Sequence, residues 1–435
     1  MGRAGLVPFW YTLLLALIAP LYRLRVYLRS REEADYKLEV SQRFGFLPAP
    51  RIAAQFKQPV WVHAVSVGET NAARPIIQHL LAQGLAVLVT NTTRTGAARV
   101  RELFGDAITA QQLEQHFLPL DTKVLMTEFI RLHQPRALLM IETEIWPNLL
   151  AITDAQNIPS ILINARLSAR SAKGYGRFDG LVRPMLQHIT LIAAQDEETA
   201  QRFITIGSPA DRVVVTGSLK FDLTAPVAAL ALADQLKREW PLAGRRVIVA
   251  ASTHEPEEAQ ILAQLQVLQA AHPDYLLILV PRHPQRFERV AELISAQGFG
   301  LVRRSLGQSI AVDTAVFLAD TMGELWTWFR LAEVAFIGGS LSDNGGHNPL
   351  EPASLGVPVV MGPHTFNFAQ IVEQLQAAGA LVQVEDVAGV AQVWRDWLEN
   401  EPSRQQAADS ALRVMAANQG ALQRQLELVD KLIAS

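Results

Sequence analysis

The sequence predicts an α/β protein of two doubly wound halves behind an amino-terminal apolar helix. Three observations carry this reading. The chain has 435 residues, enough for about two or three domains of ordinary size. Downstream of residue 58, short apolar runs alternate with longer amphipathic stretches. That alternation stops over residues 223–244, where Pro226, Pro241 and Gly244 fall, and then begins again. Composition agrees. With 49% hydrophobic and 19% charged residues the chain is neither disordered nor highly solvated. Forty-two acids against 39 bases give a net charge of −3, which argues against a general nucleic-acid binder. With no cysteine there is no disulfide framework, iron–sulfur cluster, Cys-ligated zinc or thiol nucleophile, and a reducing compartment is permitted.

The first element is the run from Ala4 to Tyr22, nineteen residues without a charge. As a helix it covers roughly the hydrocarbon thickness of a bilayer, at the short limit for a span. Arg23, Arg25, Arg29 and Arg31 follow it, with only Arg3 upstream. A cleaved signal peptide would put its bases first and end in a small-x-small site, whereas this run ends at Ala19–Pro20. The positive-inside rule keeps the rest of the chain cytoplasmic. The alternative is a buried or interfacial helix, and on either reading an apolar surface beside arginines suits an anionic membrane face.

In the first half the expected strands are residues 60–65, 86–91, 137–142, 160–165 and 190–195, with helical patterns such as 121–134 and 196–206 between them. In the second half they are residues 246–251, 275–281, 315–320, 333–339 and 357–362, followed by about forty residues of Ala-, Gln- and Leu-rich helix. Apolar runs of this length between helices indicate parallel sheets covered on both faces. Ligands of such sheets sit beyond the carboxyl ends of the strands, and a cleft between the halves is the default site.

Several chemistries are excluded. No Gly-rich loop ends in Gly-Lys, Gly174 and Gly176 lack the third glycine of a dinucleotide fingerprint, and neither an Asp-x-Asp pair nor a His-Glu-x-x-His pair occurs. Polar residues collect instead where strands end. Glu69 of Ser66-Val67-Gly68-Glu69-Thr70 falls in a first helical turn, where complementing the helix dipole is its ordinary role. Glu142 closes a strongly apolar run and is costly to bury unless hydrogen-bonded or used; Glu144, two residues on, is expected to cap the next helix. Lys220 stands among small and apolar residues, either snorkelling or placing a positive charge in the cleft. Arg282, after Pro281, suits bidentate phosphate recognition or is a plain loop residue. Thr321-Met322-Gly323-Glu324 opens a helix. The densest signal is residues 333–362, where Gly338-Gly339 and Gly345-Gly346 precede a helix start at Asn348-Pro349-Leu350-Glu351. Paired glycines allow close backbone approach, a helix start favours phosphate, and Glu351 could accept from a ribose diol.

These motifs in this order, HAVSVGE (63–69), ETEIWP (142–147), GSLKFD (217–222), VPRHP (280–284), MGEL (322–325) and GGHNPLEP (345–352), resemble the 3-deoxy-D-manno-octulosonic acid (Kdo) transferases across nearly the whole chain. The resemblance implies a GT-B fold: two Rossmann-like domains facing across a cleft, with a single-pass membrane-anchor helix at the inner membrane and catalytic domains on its cytoplasmic face. The division it suggests is residues 1–31 as anchor and basic flank, 32–225 as acceptor-binding domain, and 226–435 as CMP-Kdo-binding domain with terminal helices. The implied reaction is an inverting, metal-independent transfer of Kdo from CMP-Kdo onto a lipid A precursor in lipopolysaccharide core biosynthesis, with no cofactor and no nucleic acid. By position, Glu69 matches the family's catalytic base, and Glu142 and Lys220 its transition-state-stabilising residues. Pro281, Arg282, Met322, Gly323, Glu324, Asn348, Pro349, Leu350 and Glu351 match its CMP contacts. One departure is Gln42 of Ser41-Gln42-Arg43-Phe44-Gly45, where an acid is expected in relatives. The rivals are another GT-B enzyme, such as a sugar-nucleotide epimerase or UDP-dependent transferase, and a membrane-anchored nucleotide-sugar sensor or scaffold. No residue reads the number of Kdo additions or the oligomeric state.

Overall fold

The computed structural model describes residues 7–29, 36–56 and 58–434; Arg3, residues 4–6 of the apolar run and Arg31 of the basic flank lie outside them. The chain forms two compact units, one running to Asp222 and resumed from Gly420, the other Leu223–Gln419.

The first unit holds a parallel sheet of β1 (Val60–His63), β2 (Val87–Asn91), β3 (Leu113–Phe117), β4 (Ala137–Ile141), β5 (Ser160–Ala165), β6 (Leu191–Ala194) and β7 (Val213–Val215), in spatial order β3-β2-β1-β4-β5-β6-β7. Trp61, Leu138 and Met140 pack into the core on one face, while Val60, Val62, Leu139 and Ile141 pack into the core on the other. Each fully buried aliphatic side chain contributes ~1.5–3 kcal/mol, so the central strands have no polar face. The second unit repeats the scheme with β8 (Arg246–Thr253), β9 (Tyr275–Pro281), β10 (Leu301–Arg303), β11 (Val316–Leu318), β12 (Val334–Ile337), β13 (Val359–Met361) and β14 (Leu381–Gln383), in order β10-β11-β9-β8-β12-β13-β14. In each sheet successive strands are laid down on one side of the first strand and later ones on the other. The order reverses between β1 and β4, and again between β8 and β12. Crevices at such reversals are where doubly wound sheets bind ligands.

Strands β3, β7, β10 and β14 are not among the expected ones. The last three are three-residue strands at sheet edges. Strand β3 is masked by Glu114 and His116, both buried. Glu114 accepts from His133 Nδ1 at 2.8 Å and from the backbone N–H of Arg51 at 2.8 Å, and lies 3.3 Å from His116 Nε2. Burial opposes ionisation there, but the two histidines outweigh it and hold the carboxyl well below the usual range. Gln42 belongs to the same network: its amide nitrogen lies 3.3 Å from His116 Nδ1 and its oxygen accepts from Phe117 N. That is a structural place for the departure seen in the sequence.

Residues 223–244 also differ from expectation, for they contain the helix Val227–Glu239. The domain boundary at the carboxyl end needs correcting too. The last helix, Ala421–Ala434, belongs to the first unit, with Ala421 and Val429 in its core. Asp222 fixes it, accepting from the backbone N–H groups of Gly420 at 2.7 Å and Leu422 at 2.5 Å. Further along, His79 lies 2.9 Å from Asp430. An amphipathic helix read from sequence shows that it has a buried face, not which core buries it.

Asp222 satisfies two otherwise orphaned N–H groups at a helix start. Asp222→Ala is expected to cost ~1–2 kcal/mol in denaturant unfolding, with amide exchange over residues 420–434 accelerating first. Unchanged protection of that segment would show that core packing alone holds the helix.

Candidate active site

The catalytic residues expected from sequence all lie in the first unit and cluster about the reversal between β1 and β4. The helix Val67–Ala82 follows β1, with Ser66 as its N-cap. The Ser66 hydroxyl oxygen accepts from the Glu69 N–H at 3.4 Å and the hydroxyl donates back to the Glu69 carboxylate at 3.1 Å, while Val65 N donates to the other carboxylate oxygen at 2.6 Å. This is a capping box with the acid reaching one residue further back. Two hydrogen bonds would ordinarily favour ionisation. Burial wins instead, helped by the negative charges of Glu144 and Glu142, and the Glu69 carboxyl is pushed up to about 7.

Glu142 directly follows β4 and holds φ +65°, a left-handed conformation unusual for a non-glycine residue. Its N–H donates to Ile163 O and its carbonyl accepts from Arg166 N, so the β4–β5 pairing fixes this geometry. Strain of ~1–3 kcal/mol of this kind persists where the surroundings over-determine it, often at functional sites. Lys220 sits in the single turn Leu219–Phe221 after β7, where Asn164 Oδ1 accepts from Leu219 N at 3.1 Å. Burial lowers the Lys220 ammonium, Glu142 raises it, and Arg166 lowers it further. Glu69, Glu142 and Lys220 are therefore brought into one electrostatic neighbourhood.

Glu144 does not cap the helix Pro147–Ala155. That cap comes from Asp121, whose carboxylate accepts from Asn148 N and Leu149 N at 3.0 and 2.8 Å. Glu144 turns instead toward Trp146 Nε1 at 2.9 Å and His63 Nε2 at 3.5 Å. Sequence reasoning missed the roles of His63, Glu144 and Arg166. The available signal was that His63 and Glu144 both fall at the carboxyl ends of adjacent central strands.

The expected nucleotide contacts lie in the second unit. Pro281 ends β9 and is buried, whereas Arg282 is exposed and its guanidinium has no hydrogen bond or ion pair among the described residues. Met322 is exposed, and Gly323 has φ +84°. Glu324 accepts from Arg304 at 2.7 and 3.0 Å and from the Thr321 hydroxyl; Arg304 holds its carboxyl below the usual range against the opposing effect of burial. Pro349 and Leu350 are buried, so the Leu350 side chain belongs to the core and offers a ligand only its backbone. Asn348 Oδ1 accepts from Leu350 N at 3.1 Å. Burial raises the Glu351 carboxyl, with Asn348 hydrogen-bonding it in opposition.

The glycine run also has a cause within the fold. A Cβ on Gly338 would lie 2.5 Å from Ser252 O, and one on Gly345 would lie 2.4 Å from the Phe366 ring. Gly338, just past β12, thus passes the end of β8 too closely for any side chain, and Gly345 is required by its φ of +81°. The helix after them is only five residues, Leu350–Ser354.

Two doubly wound units in one chain, each with its reversal point, are the GT-B fold. A crystal structure of a glycosyltransferase from Rickettsia africae ESF-5 has the same fold, at 12% identity and TM-score 0.53 over 87% of this chain and 99% of that one. Residues 300–414 match the family described as glycosyl transferases group 1, and residues 39–223 match the 3-deoxy-D-manno-octulosonic-acid transferase (kdotransferase) family. The chain is 42% identical to the 3-deoxy-D-manno-octulosonic acid transferase of Bordetella pertussis over 97% of its own length and 98% of that protein's. To the Haemophilus influenzae protein of the same name it is 38% identical over 97% of each. It belongs to the Kdo transferase family.

The Glu69 carboxyl binds its proton more tightly in the fold than its ordinary value of 4.5 allows. Its contribution to stability is therefore full below that value and lost as pH rises through about 7. Glu69→Gln is expected to melt with the wild type at pH ~5 and a few degrees above it at pH ~8. Equal melting at both pH values would show the carboxyl to be unperturbed.

Proposed function

We propose that this protein is an inverting, metal-independent glycosyltransferase that moves Kdo from CMP-Kdo to a lipid A precursor in lipopolysaccharide core biosynthesis. The observation that carries the reading is the Glu69 carboxyl, held near neutral by burial beside Glu144 and Glu142, with Lys220 in the same cluster. A base is most effective when its pKa lies near the working pH. The acceptor's primary hydroxyl attacks the anomeric carbon of Kdo, its proton passes to Glu69, and the bond from that carbon to phosphate oxygen breaks to release CMP. One displacement inverts the centre and needs no enzyme nucleophile. Glu142 and Lys220 stabilise charge as the transition state forms. Arg282, exposed and without a hydrogen bond or ion pair among the described residues, suits the single phosphate of a CMP donor. A diphosphate donor would give a metal more to do.

The membrane reading rests on the helix Phe9–Arg29. Phe9, Leu13, Leu14, Leu17, Ile18, Leu21, Leu24 and Leu28 are exposed, and the helix is long and apolar enough to cross a membrane. Tyr11, Leu15, Ala19, Tyr22 and Val26 form the covered stripe. The Tyr11 hydroxyl donates to Asp121 at 2.9 Å, Trp10 meets Phe178 at 6.2 Å, and Tyr22 packs on Phe44 at 6.0 Å. Tyr11 and Tyr22 lie ~16 Å apart along the axis, so both ends are tied to the unit. These ties support a helix lying on the cytoplasmic face of the inner membrane by its outer row, with Arg23 and Arg25 beside the lipid headgroups. A lipid-embedded acceptor explains why the enzyme would need such a face.

Glu69→Gln is expected to lower Kdo transfer to a lipid A precursor by ~100-fold or more, measured by mass spectrometry of the product, while CMP-Kdo binding persists. Near-normal turnover would remove Glu69 as base, and inhibition by UDP instead of CMP would favour a UDP-dependent enzyme. The cysteine-free chain allows a single reporter at Gly5→Cys. An impermeant maleimide should label it from the cytoplasmic side of oriented membranes; labelling from the opposite side would establish a span.

A further inference from the structure

Beyond β8, β9 and β12 the second unit gathers three histidines that neither the expected nucleotide contacts nor the catalytic cluster uses, beside Arg282, which is one of those contacts. His254 follows β8, Arg282 and His283 follow β9, and His347 lies in the loop after β12. The imidazoles of His254 and His347 are parallel, with centroids 5.1 Å apart and their Nε2 atoms 2.8 Å apart. His283 stands edge-on to His254 at 5.1 Å. Neither member of the pair makes another side-chain hydrogen bond among the described residues.

Two Nε2 atoms at this distance must hold one proton between them. In the neutral pair one ring is protonated at Nε2 and the other at Nδ1. A single extra proton fits on the remaining Nδ1 without breaking the contact, and it leaves a cation with an N–H at each Nδ1. The surroundings resist that proton. Burial depresses both rings, and His283, Arg282 and the pair's mutual repulsion add to it, with Arg286 acting on His254; His347 falls to about 4. The nearby carboxylates do not compensate. Glu257 is fully buried and committed to the backbone N–H groups of His254, Gly339, Ser340 and Leu341. Glu255 and Glu258 both pair with Arg286. What remains at the reversal point of the second sheet is one cation without a carboxylate partner among the described residues, Arg282, beside a neutral histidine pair that can accept a proton.

We infer that His254 and His347, with Arg282 and His283 beside them, receive an anionic oxygen group of the donor, its carboxylate or its phosphate, and take up a proton as it binds. An arriving anion supplies the negative charge that the cluster lacks, so the proton that burial and neighbouring cations keep off the pair returns with the ligand. The pair acts by positioning: it fixes the anion of the sugar nucleotide and leaves bond breaking to other groups. This rests on the donor reading above, and the test separates the two.

The test is calorimetry of CMP-Kdo and of CMP binding to the full-length protein in buffers of different ionisation enthalpy, with His347→Gln as the variant. Wild type should take up a fraction of a proton on binding, and its affinity should fall as pH rises from about 5 to 8 as the pair loses that proton. His347→Gln should bind about tenfold more weakly with no proton uptake and a flattened pH profile, while its melting temperature reports whether the fold is intact. A loss confined to CMP-Kdo assigns the site to the carboxylate, and an equal loss for CMP assigns it to the phosphate. Wild-type uptake of no proton together with unchanged binding in the variant overturns the proposal. Should wild type bind neither nucleotide, the donor reading fails, and inorganic phosphate then decides the site alone. A rise of the His254 and His347 titration points by NMR upholds an anion site, and constant values refute it.

Discussion

Holding like charges together beyond two adjacent parallel strands is the constraint on which the first unit's site depends. Glu69, Glu142 and Glu144 are drawn to one place by the reversal between β1 and β4, and each would rather be solvated. The fold meets that cost with fixed partners. Val65 N–H and the Ser66 hydroxyl hold Glu69, His63 and Trp146 hold Glu144, and the β4–β5 register holds Glu142 in a left-handed turn. Because burial still outweighs the hydrogen bonds at Glu69, the carboxyl keeps a proton affinity matched to neutral water. A site in which those hydrogen bonds won would hold a plain carboxylate, too weak a base to assist an alcohol.

The same accounting of polar groups explains how peripheral elements attach. Asp222 and Asp121 are each buried or half-buried carboxylates that satisfy the N–H groups of a helix start, and each also ties a distant piece of chain to the sheet. Asp222 docks the final helix on the first unit after the whole second unit has intervened. Asp121 caps Pro147–Ala155 and accepts from Tyr11, so the amino-terminal apolar helix is anchored through the group that orders the segment after ETEIWP. The amino-terminal apolar helix and the site architecture are thereby linked through one side chain.

The central strands were legible in the sequence because both of their faces are apolar: Val60-Trp61-Val62 and Tyr275 to Val280 allow few alternatives. β3 was not, since Glu114 and His116 look like surface residues until Gln42, His133 and Arg51 are seen around them. The positions of Glu69, Glu142 and Lys220 could be picked out because a charge that ends an apolar run is conspicuous. What the three do to one another could not, for it depends on strand order, which a linear pattern does not contain. Glu144 shows the same limit from the other side. Its place three residues before the helix suggested a cap, but Asp121, more than twenty residues upstream, occupies that position in space. The last helix was misassigned for an equivalent reason, its apolar stripe carrying no address.

The glycine-rich stretch is the clearest case of a motif with a physical cause besides its usual interpretation. Gly338 is required by a backbone contact, 2.5 Å between its would-be Cβ and Ser252 O, and Gly345 by its φ of +81°. The loop they permit carries His347 to His254. A site made this way draws histidines and an arginine from three strand ends, and only the arginine brings a charge, unmatched by a carboxylate among the described residues. The two units thus use one topological device with different electrostatics: the first draws acids together and raises the proton affinity of Glu69, and the second sets a neutral histidine pair beside Arg282.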